Sequence, residues 1–440
     1  MKYKLILPIL FFTAHLAYLN KFPLFLIGDE FFYTEPASNA GFKTNLYPST
    51  NVSGLYGKVP LVIHKVFFKM FGDKAIRLQG LMWGMISLFP VYQLGGTLAA
   101  VLWGLSFPFT MTAHSGRPDM GVCAMALLSI MFFCRGDPVL AGFLAGLALE
   151  FHIPNGLAVI CGVSLMCLIC KRKSLIWLIA GLLVSAPIWL VNHVPDLLTQ
   201  YQFWHKTQSF SDPFNLVKEY ARYRNFFWTP AFHRMMLLLP VVLAALWKGW
   251  KTNRPVMVCA IGGIVGTALF CGQPAPYYLN WIFALVCVLV VSLWKTGWLG
   301  LMAVGMIALN VAEYGMWMVK FRNKDFDSYS NSVKSVTKEN LVTLGPVQLY
   351  RSFDKFVPDN YIHVLNDMIR KEGKSIGQEM PGFFKEHGIE RIVVSDSMKY
   401  YWEDTPEWEN ILKTQFVQTS AITDYFGFDK NNRTRVYVRR

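Results

Sequence analysis

The sequence predicts a mainly α protein: a polytopic bundle of about eleven membrane-spanning helices, followed by a small α/β domain in water. Three observations carry this reading. Of 440 residues, 53% are hydrophobic and only 16% charged, and the mean hydropathy is +0.33. Residues 321–440 hold 35 of the 70 Asp, Glu, Lys and Arg residues, about 29% of that stretch against about 11% of residues 1–320. Cations also gather in alternate short connections between the apolar runs. Disorder, a disulfide-rich secreted module and a coiled coil are excluded by this composition. Two domains follow, a membrane domain over 1–320 and a soluble one over 321–440.

Residues 1–320 carry 24 basic and 11 acidic side chains, and the remainder 18 and 17. A basic excess confined to the membrane domain argues against a nucleic-acid partner. It argues for topology signals together with an anionic ligand or lipid head group. All 8 cysteines lie in the apolar part, with no disulfide framework and no zinc spacing.

Lys2 and Lys4 precede an apolar run, Leu5 to Ala17, with no clear cleavage site, which reads as an uncleaved signal anchor. The expected spans are 5–27, 75–93, 97–113, 119–134, 138–152, 156–170, 174–192, 234–250, 255–271, 277–294 and 298–319. With the N-terminus in the cytoplasm, the inner connections hold Arg135, Lys171, Arg172, Lys173, Lys248, Lys251, Arg254 and Lys295 against one acid, Asp137. The C-terminal domain is then extracytoplasmic. On the outer face, Val59–Met70 pairs apolar residues with Lys65 and Lys69 at i, i+4, the pattern of an interfacial helix. Asp212–Arg234 reads similarly. In the last domain, Gln378–His387 and Pro406–Lys413 are expected helices, and Glu390–Ser395 and Thr434–Val438 expected strands.

Four polar groups stand at the outer ends of spans. Asp29 and Glu30 directly follow the first span. Adjacent carboxylates at a membrane lip are costly unless solvated, paired or used. They read equally as a solvated stop or as a general base for an acceptor hydroxyl. His114-Ser115-Gly116-Arg117-Pro118-Asp119 joins two spans. Pro118 and Asp119 suit a helix N-terminus, and the fork of Arg117 suits phosphate oxygens. Glu150 and His152 break an apolar hairpin, where a satisfied turn histidine and a functional one are equally compatible with the pattern. Tyr277 and Tyr278 precede the tenth span, as an aromatic belt or as the lining of a lipid or sugar groove.

Gly28-Asp29-Glu30, Tyr56-Gly57-Lys58-Val59-Pro60-Leu61, Lys69-Met70-Phe71-Gly72-Asp73 with Arg77, and Gly116-Arg117-Pro118-Asp119 occur in that order. The set resembles the GT-C glycosyltransferases, within them the protein mannosyltransferase and aminoarabinose transferase group. His152-Ile153-Pro154-Asn155-Gly156 and Pro276-Tyr277-Tyr278-Leu279 are similar to that group too. Val59-Pro60 stands where the group shows a double proline, and Lys58 where it often has a small residue or histidine.

The resemblance implies transfer of a sugar from a polyprenyl-phosphate donor at the outer face of the membrane. By it, Asp29 is the general base, with Glu30 orienting the acceptor. Arg117 meets the phosphate, held by Asp119, with Lys58, Lys206 or Arg222 as a further cation. His152, Tyr277 and Tyr278 complete the substrate-binding set. The expected partners are the lipid-linked donor, membrane lipids and an acceptor that the sequence leaves open among lipid, glycan and protein. No cofactor is required by the sequence, although Asp29, Glu30 and His152 could meet a divalent cation. Cysteines confined to the apolar part suit a bacterial plasma membrane. The rival reading is a transporter or flippase of lipid-linked sugars. Against it stand the absence of a convincing internal repeat and the collection of polar groups at one surface.

Overall fold

The computed structural model describes residues 15, 58–115, 117–194, 214–228, 239–272, 276–293, parts of 297–319, 325–337, 340–346, 349, 352–359, 375–396, 405–424 and 431–440. The chain divides into two compact units, with a boundary between Val319 and Lys320.

The first unit is helical: α1 (Lys58–Phe71), α2 (Ala75–Gly104), α3 (Phe107–Ser115), α4 (Asp119–Arg135), α5 (Pro138–Phe151), α6 (Ile153–Cys170), α7 (Leu175–His193), α8 (Leu216–Trp228), α9 (Leu239–Thr252), α10 (Arg254–Phe270) and α11 (Asn280–Val290). Helices Ala75–Gly104 and Ile153–Cys170, and the stretch Arg172–Asn192, are long and apolar enough to cross a membrane. Pro138–Phe151, Arg254–Phe270 and Tyr277–Leu293 are shorter apolar helices. The unit is that of a multi-pass membrane protein. Among the described residues, helix falls on each expected span between residues 75 and 293, the first residues of the span over 234–250 lying outside them. The spans expected over 5–27 and 298–319 lie wholly or partly outside the described residues, apart from a helical, buried His15.

One boundary differs from expectation. The spans expected over 75–93 and 97–113 are one stretch of helix bent at Gly96, where φ is +77°, and then a separate α3. Only glycine adopts that backbone without penalty, so the bend falls there. Small residues govern the packing of α6 on α10. A Cβ on Gly262 would lie 2.9 Å from Gly162 Cα, and one on Gly266 2.7 Å from Ala158 Cα. This is the close backbone approach by which helices associate in lipid.

Helix α1 follows its amphipathic pattern. Leu61 and His64 are buried, while Val62, Val66, Met70 and Phe71 on the opposite side are exposed. His64 Nδ1 donates to Gln79 Oε1 at 2.9 Å, and Gln79 Nε2 donates to Pro60 O at 3.3 Å, tying α1 to α2. Burial pulls the His64 imidazole down to about 4, with the Gln79 bond opposing.

The second unit is α/β. Helices α12 (Phe326–Val336), α13 (Ile376–Glu386) and α14 (Pro406–Gln415) accompany five strands, β1 (Thr343–Gly345), β2 (Phe356–Pro358), β3 (Arg391–Ser395), β4 (Phe416–Thr423) and β5 (Arg433–Arg439). The sheet order is β2-β1-β3-β5-β4, with β2, β1 and β3 parallel and β5 antiparallel to both β3 and β4. Every strand and helix expected from the sequence here is present to within two residues. Strand β4 was not expected. It follows α14 with no turn between, and most of its residues are solvent-facing, so its apolar signal is weak.

Candidate functional site at the helix ends

The site is built where α3 gives way to α4, where α5 gives way to α6, and where the 3-10 turn Pro276–Leu279 enters α11. Each junction contributes polar side chains to one buried cluster.

Arg117 and Asp119 flank Pro118 at the start of α4. Arg117 Nε donates to Asp119 Oδ2 at 2.9 Å, and the two side chains are 4% and 0% exposed. Asp119 lies in the first turn of α4. Its oxygens turn sideways. The second, Oδ1, accepts from Asn155 Nδ2 at 3.2 Å. Asn155 Oδ1 in turn accepts from Trp281 Nε1 at 3.2 Å. A buried carboxylate is thus paired on one side and hydrogen-bonded on the other, as its desolvation requires.

The guanidinium lies over an aromatic face, with Arg117 Cζ 3.5 Å from the centroid of the Tyr277 ring. Such a stack is worth up to about 2 kcal/mol where water is excluded. Tyr278 meets Tyr277 edge-on, with centroids 4.9 Å apart, and approaches His152 at 5.2 Å. His152 caps α6: its Nδ1 accepts from the Asn155 backbone N–H at 3.3 Å, which in the neutral ring puts the proton on Nε2. At the same level, Asn280 Nδ2 donates to Thr112 Oγ1, joining α11 to α3.

Other polar residues of the region are tied into the packing. Glu150 is buried and accepts from Asn192 Nδ2 at 2.9 Å. His114 bonds to His15. The second nitrogen of His15, Nε2, donates to Gly104 O at 3.2 Å, so His15 Nδ1 accepts from His114 Nε2 at 2.8 Å. Arg222 is fully buried. It donates to both oxygens of Glu219 and to the carbonyls of Thr267 and Cys271 at the end of α10. A cation there satisfies terminal carbonyls and complements the helix dipole. That gives Arg222 a structural employment at this helix end.

The structure therefore brings together Arg117, Asp119, His152, Tyr277 and Tyr278, which the sequence had placed in three separate segments. Asp29 and Glu30 lie outside the described residues, as does Lys206. Lys58 opens α1, and its side chain is outside the described set. Asn155 and Trp281 are the members that sequence reasoning missed. An asparagine in a turn and a tryptophan in an apolar span each have an ordinary explanation. Among the described residues, no three His, Cys, Asp or Glu side chains gather in a way that could hold a metal ion.

The class defined by these features is a multi-pass membrane protein with a buried guanidinium–carboxylate cluster at its helix ends and a small α/β domain after it. No family model and no curated protein matches the sequence. Solved structures do match the fold. ArnT from Cupriavidus metallidurans, solved bound to undecaprenyl phosphate, is 12% identical, with 97% of each chain covered and a TM-score of 0.53. The same protein in the apo state is 13% identical over the same shares, with a TM-score of 0.52. The archaeal oligosaccharyltransferase AglB from Archaeoglobus fulgidus, solved with an inhibitory peptide and a dolichol-phosphate, is 10% identical. The match covers 97% of this chain and 74% of that one, with a TM-score of 0.53. At these identities the likeness is one of fold. The chain has the fold of the GT-C glycosyltransferases, the group that its ordered motifs resemble.

Proposed function

We propose that the protein is an integral membrane glycosyltransferase that moves a sugar from a polyprenyl-phosphate donor to a hydroxyl acceptor at the extracytoplasmic face. The observation that carries this reading is the buried Arg117–Asp119 pair stacked on Tyr277. A guanidinium held over an aromatic ring at the ends of membrane helices is suited to a lipid-borne phosphate. The solved relatives hold undecaprenyl phosphate and dolichol-phosphate, which supports the same ligand class here.

In this reading the carrier tail lies in the bilayer and its phosphate meets Arg117. Asp29 removes the acceptor proton as the acceptor oxygen attacks the anomeric carbon. The C–O bond to phosphate breaks as the new one forms, the anomeric centre inverts, and the leaving phosphate keeps the electron pair. Its charge is stabilised in a partly dry site, where fixed cations act most strongly. Phosphate is a good leaving group, so no general acid is needed. Glu30 orients the acceptor, and Lys58 is a further phosphate contact. The mechanism needs no metal ion. A divalent cation held by Asp29, Glu30 and His152 is the alternative that activity after chelation distinguishes.

Purified protein given a labelled polyprenyl-phosphate sugar and membrane extract tests the proposal. Release of polyprenyl phosphate with label appearing on an acceptor is the expected result. Movement of intact donor across the bilayer without release would establish the transporter reading instead.

A further inference from the structure

Asn155 sits between two groups of opposite hydrogen-bonding character. The Trp281 indole can only donate, and the Asp119 carboxylate can only accept. The Asn155 side chain, 1% exposed, serves both: its oxygen faces Trp281 Nε1 and its nitrogen faces Asp119 Oδ1, each at 3.2 Å. No other assignment of the amide satisfies the two neighbours, so its orientation is fixed by them. An aliphatic residue would strand both partners. An aspartate would set two carboxylates at hydrogen-bond distance, which they tolerate only by sharing a proton.

The chain of contacts continues. Asp119 Oδ2 holds Arg117 through Nε, and the guanidinium is pressed on Tyr277. Asp119 binds by Nε, so the direction of the terminal fork follows from where Asp119 is held. Trp281 belongs to α11, Asn155 to α6, and Asp119 to α4. Three helices thus converge on the orientation of one guanidinium.

We propose that Asn155 is a positioning residue for donor recognition: by fixing Asp119 against α11 it aims Arg117 at the carrier phosphate. The inference rests on the reading that Arg117 meets that phosphate, and it assigns Asn155 no contact with the reacting atoms. The titratable groups around this chain are Arg117, Asp119, His152, Tyr277 and Tyr278, with Cys123 and Cys271 also near Asp119. All are retained in the variants below.

The test uses the full-length purified protein, with Asn155→Asp and Asn155→Leu beside the wild type. Affinity for undecaprenyl phosphate and the KM and kcat of sugar transfer are measured between pH 5.5 and 8. With Asp at 155, the protonated acid can still donate to Asp119 and accept from Trp281, whereas the ionised acid repels Asp119. Asn155→Asp should therefore approach wild-type donor affinity at pH 5.5 and lose roughly tenfold at pH 8, the cost of one unmade buried bond to a charge. Acceptor KM should stay unchanged, and wild type should lack this pH limb. Asn155→Leu should lose donor affinity at every pH. Wild-type affinity in both variants at pH 8 overturns the proposal. So does a loss that falls equally on donor and acceptor, or one that tracks a drop in melting temperature at each pH, because either marks a merely structural residue. Should wild type bind undecaprenyl phosphate yet transfer no sugar, the transfer reading fails while the affinity series still decides the role of Asn155. Should wild type not bind it, both fall.

Discussion

Each unit of the molecule contains an Arg–Asp pair of the same length, and the two pairs are built for different ends. Arg435 Nη1 and Nη2 donate to the two oxygens of Asp396 at 2.9 and 3.0 Å, and the side chains are 35% and 16% exposed. Asp396 also accepts from the Arg433 backbone N–H at 2.9 Å, so the pair latches the end of β3 to β5. The whole guanidinium fork is consumed in a fork-to-fork contact. Arg117 is held by its carboxylate through Nε, away from solvent, with its face on Tyr277. The first arrangement ties two neighbouring interior strands together at one end. The second commits a charge to a dry site, and pays in desolvation for a geometry that a latch would not need. An ion pair is thus informative about function through how much water it excludes, rather than through its length.

Substitution of the two arginines should separate these roles most sharply. Arg117→Ala is expected to lower transfer by about 10²–10³-fold, the usual loss for one charge-stabilising group, with the donor affected more than the acceptor. Arg435→Ala should leave transfer near wild type. Equal losses from a labelled lipid-sugar in membranes would erase the distinction. An effect of comparable size is expected at the base: Asp29→Asn should lower transfer by about 10²–10⁴-fold in folded protein, and full activity would remove it from the mechanism.

Removing the acids should rank the pairs by burial. Asp119→Ala takes the carboxylate from a buried guanidinium and should cost about 3–5 kcal/mol. Asp396→Ala, in a part-exposed pair screened by water, should cost about 1 kcal/mol or less. Thermal unfolding in one detergent compares them, and a reversed order would contradict the burial argument. Tyr277→Leu should keep the pair and lose the stack, weakening donor use by roughly tenfold through about 1–2 kcal/mol of cation–π attraction.

The smallest expected effect is one of pH. His64 is held neutral in the fold, with its imidazole pulled from 6.5 to about 4 by burial. The unfolded state therefore binds more protons below about 6.5, and stability should fall as pH drops from there towards 4. His64→Gln should flatten that acid-side loss in melting curves taken across the range. An unchanged slope would show that His64 does not set it.

Much of this arrangement was legible in the sequence, for a reason specific to membranes. In an apolar background a polar residue at a span end is visible as an exception, and so Arg117, Asp119, His152 and the Tyr277-Tyr278 pair could be singled out. The amphipathic helix over 58–71 was legible because Lys65 and Lys69 fall at i, i+4 among apolar neighbours. What the sequence hid were contacts made across distance. Asn155 reaches Asp119 and Trp281, 36 and 126 residues away, and neither spacing leaves a local pattern. The carbonyl partners of Arg222 at the end of α10 were hidden in the same way, 45 and 49 residues away. The bend at Gly96 falls in the gap left between the expected spans 75–93 and 97–113, where a connection and a bent helix look alike in sequence.

The most direct measurement is the affinity of the purified protein for undecaprenyl phosphate, with and without the Arg117 guanidinium. Saturable binding that Arg117→Ala loses, and that Arg435→Ala keeps, is the result expected of a carrier phosphate seated on the stacked arginine. Unaltered binding in Arg117→Ala would contradict it.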